Sequence, residues 1–277
     1  MVRSSHVPRP VGPRDRHEEK GFRRHPSCNL RRPPPRTRYD VGHRDVIAAG
    51  RLGADLVASV RAGEWQIASS IERQLAGASL AQLSDALPKP HDRLAFWLNI
   101  YNGAVRRALA SDPQRLRQRL RFFRRPIISL GGTELSPDAI EHGMLRRGRW
   151  KLGLGYLANP FPSKLERALR VARVDPRIHF ALNCGARSCP PIATYEAGTV
   201  ETQLDAATRA YLSADVRRDG DAIVVPRMFL WYLGDFGGPG GMRSFLDRHW
   251  NGPLGPRARI RFGQYDWTPA VDRVKMP

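Results

Sequence analysis

The sequence has few cysteines, few acidic residues and no long apolar run. Three of its 277 residues are cysteine, which excludes a fold held together by many disulfides. No apolar run reaches the ~18 residues of a membrane span, so we expect no transmembrane segment. The basic N-terminus is not followed by the roughly 7–15-residue apolar stretch of a signal peptide. As written, the chain is expected to be soluble and cytoplasmic, and a start site further along would instead allow export.

Acidic residues and lysines are both scarce. Asp and Glu number 26 against 46 Lys and Arg, for a net charge of +20, and only five of the basic residues are lysine. Such a charge attracts nucleic acid or anionic membrane without specificity. However, the arginines are scattered in short pairs, with no basic stripe interleaved with aromatics and no nucleic-acid motif. We therefore expect a basic solvated surface and no specific nucleic-acid partner.

The N-terminal part of the chain divides into two segments of different composition. Residues 1–40 hold seven prolines and eleven Lys or Arg, with few apolar residues, which predicts a disordered basic tail. From Asp45 to about Leu87, apolar residues recur at helical spacing with a break near Gly63. This pattern predicts two helices, and we assign residues 41–87 to a helical N-terminal extension.

The strongest predicted helix covers His91–Ala110, where apolar residues form a broad stripe. Asn99 and Asn102 lie inside this stripe, three residues apart. A buried amide must find hydrogen-bond partners. Each amide therefore either ties down neighbouring backbone or lines a polar pocket.

Residues 175–191 carry two of the three cysteines, at the end of an alternating apolar pattern. Ile178, Phe180 and Leu182 alternate with polar or small residues, which predicts a β-strand. His179 and Asn183 would share one face of that strand. The chain then enters a loop containing Cys184 and Cys189, in which both cysteines are candidates for a site or for simple packing.

Four blocks, in order, resemble the blocks of the domain of unknown function (DUF) 547 family. These are Phe96–Asn102 (Phe-Trp-x-Asn-x-Tyr-Asn), Ile140–Arg146 (Ile-Glu-His-x-x-Leu-Arg), Asp175–Pro191 and the Trp231-Tyr232 with Asp235-Phe236 element. Ala186 departs from the pattern, since the resemblance implies serine there. The resemblance spans residues 88–268, leaves 269–277 as a C-terminal tail, and implies no established activity.

The patterns together indicate the α/β (α+β) class. We expect a helix-rich single domain around a small mixed or antiparallel sheet. Histidine before Asn-Cys in chain order is also similar to circularly permuted papain-like hydrolases. The expected partner is a small-molecule or peptide substrate.

The leading hypothesis for the chemistry is a cysteine nucleophile for acyl transfer, because a thiolate attacks far better than a thiol and a nearby histidine favours it. Cys184 would be the nucleophile, His142 or His179 the base, and Glu141 or Asn183 the orienting group. Asn99, Asn102, Cys189 and Trp231 are the candidate binding residues.

Two geometric points weigh against that hypothesis. Adjacent Glu141 and His142 would point about 100° apart on an α-helix, so both should not face one site. On a strand, Cys184 would alternate away from the face that His179 and Asn183 share.

Two other interpretations remain open. Cys184, Cys189, His142 and Glu141 could bind zinc, although a Cys-x4-Cys spacing without a second pair is not a standard finger; we predict no metal and no cofactor. Alternatively, the cysteines are structural and aromatic residues line a groove that binds a ligand or peptide. The aromatic candidates are Trp97, Tyr101, Trp231 and Tyr232.

Overall fold

The computed structural model describes residues 49–255 and 258–270. Helices predominate, which confirms the helix-rich α+β class. They are α1 (Ala49–Ala62), α2 (Trp65–Gly77), α3 (Leu80–Ala86), α4 (Pro90–Ser111), α5 (Arg119–Arg124), α6 (Lys164–Leu169), α7 (Val200–Asp215), α8 (Met228–Trp231) and α9 (Gly238–His249). Short 3-10 helices cover Pro113–Gln118 and Pro176–Phe180, and a π-helix covers Ala139–Leu145. Within the described ranges, no helix is long and apolar enough to cross a membrane.

The predicted tail over residues 1–40 lies outside the described residues, as do residues 271–277. Within its described residues, 49–87, the extension has three helices where the sequence predicted two. A capping box starts the additional helix, α3: Ser79 Oγ accepts from the Gln82 N–H at 3.1 Å, and Gln82 Oε1 accepts from the Ser79 N–H at 2.8 Å. This reciprocal pair satisfies amide groups that would otherwise lack partners at a helix start.

Two small sheets complete the fold. Their strands are β1 (Ile128–Leu130), β2 (Thr133–Leu135), β3 (Arg217–Asp219), β4 (Ala222–Val225) and β5 (Arg259–Phe262). β1 and β2 form an antiparallel hairpin through Gly131 and Gly132, whose φ values of 56° and 72° suit a tight hairpin turn. In the other sheet, β4 pairs antiparallel with β3 and parallel with β5.

The strand predicted over residues 178–183 is wrong. Asp175 accepts a hydrogen bond from the Arg177 N–H at 3.0 Å, Pro176 occupies the first turn, and a 3-10 helix runs to Phe180. Every side chain from 178 to 182 is buried, His179 and Ala181 included. The apparent alternation therefore came from residue types and did not mark one buried face and one exposed face.

Helices α1 and α4 pack closely against each other. A Cβ placed on Gly103 of α4 would lie 2.8 Å from Leu56 Cγ of α1. Since Leu56 is fully buried, a larger residue at 103 would force the helices apart.

The buried apolar side chains form two clusters. The first apolar cluster is built around α4 and contains Tyr101 and Leu182. The second apolar cluster joins β4, α8 and α9 and contains Phe180 and Phe229. Phe180 and Leu182 belong to different clusters. The turn that follows the 3-10 helix therefore connects the two clusters. Tyr265 packs against both.

Candidate functional site

A cavity of about 480 Å³ has walls from both apolar clusters. Tyr101 and Leu182 contribute from the first cluster, Met228 from the second, and Tyr265 from both. Its polar lining consists of Asp138, Glu141, His142, Lys151, His179 and Cys184. A mostly apolar cavity of this size with a few convergent polar groups is typical of a small-molecule site.

The cavity brings together part of the predicted set. Its walls include Cys184, His142, His179, Glu141 and Trp231. The lining does not include Asn99, Asn102, Asn183 or Cys189. A larger depression of about 930 Å³, on α2 and α4, contains neither cysteine nor histidine.

Glu141 and His142 both face the cavity, contrary to the expectation that adjacent helical residues would diverge. They lie in the π-helix, where a widened turn alters side-chain directions and often marks a functional site. Glu141 Oε1 accepts a hydrogen bond from the Tyr232 hydroxyl at 2.7 Å. Burial and the neighbouring Glu141 carboxylate raise the pKa of Tyr232 well above its ordinary value, so this phenol stays protonated.

His179 is held by a carboxylate that comes from a distant part of the chain. Its Nε2 lies 2.9 Å from Asp235 Oδ2, and its ring stacks on Tyr232 at 3.9 Å between centroids. Burial lowers the pKa of His179, although Asp235 opposes that shift, so the ring is neutral near pH 7. Because a carboxylate only accepts, Nε2 carries the proton and Nδ1 is the basic nitrogen.

Asp235 is itself buried and paired with a buried arginine. Arg146 Nε and Nη2 donate to its two carboxylate oxygens at 2.6 and 3.2 Å. Burial would raise the pKa of Asp235, but the hydrogen bonds from His179 and Arg146 lower it below its ordinary value. Asp235 therefore remains ionised and keeps the His179 ring in one orientation.

The tautomer of His142 is set by the same arginine. Arg146 Nη1 lies 2.8 Å from His142 Nδ1, and a guanidinium can only donate. The remaining ring proton is therefore on Nε2. That nitrogen is buried without a hydrogen-bond partner, since the nearest carboxylate oxygen, Asp138 Oδ1, is 3.6 Å away. His142 thus presents at the cavity wall an Nε2–H that is only loosely paired, with Asp138.

Cys184 and Cys189 are both free thiols, and they lie side by side. The Cys184 N–H donates to Cys189 Sγ at 3.0 Å, and the Tyr265 hydroxyl lies 3.4 Å from Cys184 Sγ and 3.2 Å from Cys189 Sγ. The hydrogen bond with Cys189 and burial raise the pKa of Cys184 well above its usual value. Burial opposes ionisation of Cys189 too, but hydrogen bonds from Cys184 and Tyr265 lower its pKa. The first negative charge of the pair therefore lies on Cys189.

The amide of Asn183 shapes the cysteine loop. Its Nδ2 donates to the Pro190 carbonyl at 2.6 Å, and its Oδ1 accepts from the Gly185 N–H at 2.9 Å. Gly185, with φ of 85°, adopts a conformation that favours glycine, and a Cβ there would lie 2.2 Å from Leu109 Cδ1. Asn183 thus binds backbone and makes no hydrogen bond to His179 or His142.

Asn99 and Asn102 also bind backbone. Asn99 exchanges two hydrogen bonds with Tyr195, at 2.8 and 2.9 Å. Asn102 donates to the Ala181 carbonyl at 3.0 Å and accepts from the Asn183 N–H at 2.9 Å. Both amides therefore bind neighbouring backbone and attach α4 to loops, and neither lines the cavity.

Sequence reasoning did not assign three residues that organise the cavity: Asp235, Arg146 and Tyr265. Asp235 and Arg146 lie in two of the recognised sequence blocks, close to residues that were assigned. Because both are charged, they could have been chosen as candidates from the sequence. Tyr265 carried no signal of this kind. As to metals, no three His, Cys, Asp or Glu side chains within residues 49–255 and 258–270 are grouped so as to hold an ion.

The molecule is thus a helix-rich α+β domain with an apolar cavity lined by a thiol, two imidazoles and carboxylates. Residues 85–212 match the model of the family described as "Protein of unknown function, DUF547", and this part of the chain belongs to that family. The match confirms the resemblance for the three blocks that it covers, Phe96–Asn102, Ile140–Arg146 and Asp175–Pro191. Comparison with curated proteins and with solved structures gave no significant match. The matched region ends before Asp235 and before the remaining residues of the cavity wall, which are Met228, Trp231, Tyr232, Tyr265 and Trp267.

Proposed function

We propose that the cavity is a thiol-dependent acyl-transfer site of hydrolase or transferase type. The observation that carries the proposal is that Cys184 lines the same cavity as His179, whose ring is fixed by Asp235. In this assignment Cys184 is the nucleophile, His179 the base and Asp235 the orienting group. Asp235 takes the role that the sequence had offered to Glu141 or Asn183.

The proposed reaction begins with transfer of the Cys184 thiol proton to His179 Nδ1. The thiolate attacks the carbonyl carbon of an ester, amide or thioester, while the loosely paired Nε2–H of His142 donates to the carbonyl oxygen. The bond to the leaving group breaks, and the leaving group takes the proton from His179. Water or another acceptor, deprotonated by His179, then releases the acyl group from the sulfur.

Cys189 competes with this first step in the resting protein. It accepts a hydrogen bond from the Cys184 thiol, so the proton of Cys184 is held until a substrate displaces that contact. Contacts of catalytic groups are often long in the absence of substrate and tighten when it binds. Replacing Cys189 should therefore make Cys184 ionise more readily.

Alkylation by N-benzyl iodoacetamide, with mass spectrometry to locate the product, tests the proposal. In a Cys28→Ser background we expect Cys184 to react in preference to Cys189, since Cys184 alone of the two lines the cavity. Cys189→Ser should move the pH midpoint of Cys184 alkylation downward. His179→Gln should slow the reaction roughly 10²-fold, the lower range for loss of a general base.

His249→Gln is the matched control. His249 is another buried histidine whose pKa is lowered by burial, with Asp205 3.8 Å away, but it does not line the cavity. Its variant should alkylate as the wild type does. Reaction at Cys189 alone, no reaction before unfolding, or an equal effect of both histidine variants would refute the nucleophile assignment.

A second candidate is a binding module in which the cysteines are structural. It is favoured by the resting contacts of Cys184, which go to Tyr265 and Cys189 and not to a histidine. The aromatic wall of Trp231, Tyr265 and Trp267 would hold an apolar ligand. Equal calorimetric binding of N-benzylacetamide by wild type and Cys184→Ser, with no thiol reactivity in the native protein, would support this candidate.

A further inference from the structure

Large apolar side chains are exposed together in one segment beside the cavity, residues 150–161, here called the apolar loop. The exposed large apolar residues of this segment are Trp150, Leu152, Leu154, Tyr156, Leu157 and Phe161. Leu152 and Phe161 are exposed to 81% and 85%, so their side chains project from the surface. Contiguous exposed apolar side chains of this kind mark interaction sites.

Basic residues outnumber acidic ones along the apolar loop. Between His142 and Glu166 the chain has no acidic residue, whereas it has five basic ones: Arg146, Arg147, Arg149, Lys151 and Lys164. Arg146 and Arg149 pair with Asp235, and Lys151 pairs with Asp138 at 2.8 Å, whereas Arg147 and Lys164 are exposed. Arg124 of α5 shares a depression with Trp150 and Leu152, whose lining also includes Asp138 and Glu166.

Backbone contacts hold the apolar loop in this conformation. The Trp150 N–H donates to the Leu157 carbonyl at 2.8 Å, and the Gly234 N–H donates to the Leu154 carbonyl at 2.6 Å. A Cβ on Gly155 would lie 2.6 Å from Asp235 Oδ1, so the loop packs directly on the carboxylate that holds His179. The apolar side chains are therefore presented to solvent by a packed backbone.

We propose that the apolar loop docks on an anionic membrane surface. Trp and Tyr beside Lys and Arg are the side chains that bind at the level of lipid headgroups, with the apolar groups inserted and the cations on anionic lipid. Leu152, Gly153 and Leu154 also line the cavity, so docking would place the cavity against the bilayer. This inference does not depend on the proposed chemistry.

An anionic bilayer fits the loop better than a second copy of the chain or an apolar peptide. A second copy would bring another surface of the same strongly positive chain against the basic residues around the loop. An apolar peptide would need a groove, whereas Leu152 and Phe161 project. A lipid surface accepts projecting apolar groups and supplies the negative charge.

Flotation of the full-length protein with vesicles of phosphatidylglycerol and phosphatidylcholine tests the proposal. The variant Leu152→Ser/Phe161→Ser keeps the net charge and removes two projecting apolar groups. We expect its vesicle partition coefficient to fall by roughly 10²-fold, about tenfold for each large apolar side chain withdrawn from the bilayer. The comparison is made in high salt, where purely electrostatic binding is screened.

Ile67→Ser is the matched control, because Ile67 is an exposed aliphatic residue on α2, outside the apolar loop, and is 50% exposed. Its partitioning should equal that of the wild type, and all variants should keep the wild-type thermal midpoint. Equal partitioning of the wild type and the double variant would overturn the proposal. If the double variant instead dissociates a wild-type oligomer in the absence of lipid, with vesicle binding unchanged, the loop is a self-association surface and the proposal is wrong.

Discussion

The carboxylate of Asp235 contacts three side chains from two separate parts of the sequence. Arg146 and His179 bind it at 2.6 and 2.9 Å, and Arg149 Nε lies 3.4 Å from its other oxygen. A buried charge is tolerated when it is paired and hydrogen-bonded, and it is costly when one partner is removed. Asp235 thus links the π-helix block and the 3-10 helix block, and Gly155 of the apolar loop packs against it.

The lowered pKa of His179 predicts a loss of stability on mild acidification. The unfolded imidazole titrates near 6.5, whereas the folded ring titrates lower. Between these two pKa values only the unfolded state binds the proton, so the free energy of unfolding falls as the pH drops below about 6.5. The contribution levels off below the folded pKa, after a loss of about 1.4 kcal/mol for each pH unit between the two values.

Urea unfolding between pH 7.5 and 5 measures this effect. His179→Gln should show a shallower pH dependence than the wild type. The lowered pKa of His249 acts in the same direction, so part of the slope should persist until His249→Gln is added. An identical slope in the wild type and in both single variants would contradict the assignment of neutral buried rings.

Helix α4 makes buried hydrogen bonds to several other segments, in addition to the packing of its apolar stripe. Trp97 Nε1 donates to the Leu169 carbonyl at 2.8 Å, Asn99 binds Tyr195, and Asn102 binds the turn that precedes Cys184. Trp97 binds the last residue of α6, and the two asparagines satisfy backbone groups of segments that form no regular secondary structure. The helix therefore fixes loops through polar contacts that are fully buried.

The two asparagines offer a matched comparison on one helix. Replacing either with alanine leaves a carbonyl and an N–H unpaired, so each variant should lose about 2–6 kcal/mol of stability, from roughly 1–3 kcal/mol for each of the two groups. Only Asn102 contacts Asn183, which shapes the cysteine loop. Native-state alkylation of the cysteine pair should therefore change in Asn102→Ala and stay as in the wild type in Asn99→Ala.

Denaturant unfolding and alkylation mass spectrometry, done in parallel, separate stability from loop geometry. If both variants change thiol reactivity equally, the effect is global loosening. If neither does, the Asn102–Asn183 contact does not control the loop.

At the scale of the whole molecule, the cavity depends on contacts between the two apolar clusters. The match to the DUF547 family model ends at residue 212, and the second cluster continues beyond it to Phe245 and Leu246 on α9. Tyr232 and Asp235 reach back to Glu141 and His179 across this division. The site is therefore complete only when both clusters are packed together.

The net charge of +20 predicts that salt stabilises the folded chain. Like charges repel more strongly in the compact state, and ~0.1 M salt screens exposed charges beyond about 10 Å. The free energy of unfolding in urea should rise between 0.02 and 0.3 M NaCl. A fall would show that attractive pairs, such as the cluster of Arg177 with Asp175, Glu201 and Asp205, outweigh the repulsion.

Local sequence signals were enough to predict several helices and turns of this protein. The apolar stripe from His91 predicts α4, which spans Pro90–Ser111, and the Gly131-Gly132 pair predicts the turn between β1 and β2. Helical periodicity and glycine turns depend on neighbours a few residues apart, so a single sequence contains them. The ordered blocks likewise identified the family and placed Cys184, His142 and His179 among the candidate site residues.

The tertiary structure decided which candidates meet and in what chemical state. The segment around His179 is a 3-10 helix and not a strand, because Asp175 and Pro176 start a helical turn and both clusters bury every side chain from 178 to 182. Asp235 pairs with His179 across 56 residues of sequence. Hydrogen-bond partners and burial set pKa values and tautomers, and both come from residues far apart in the chain. The sequence alone therefore supplied the functional groups, and only packing brought His179 to Asp235 and left Cys184 beside Cys189.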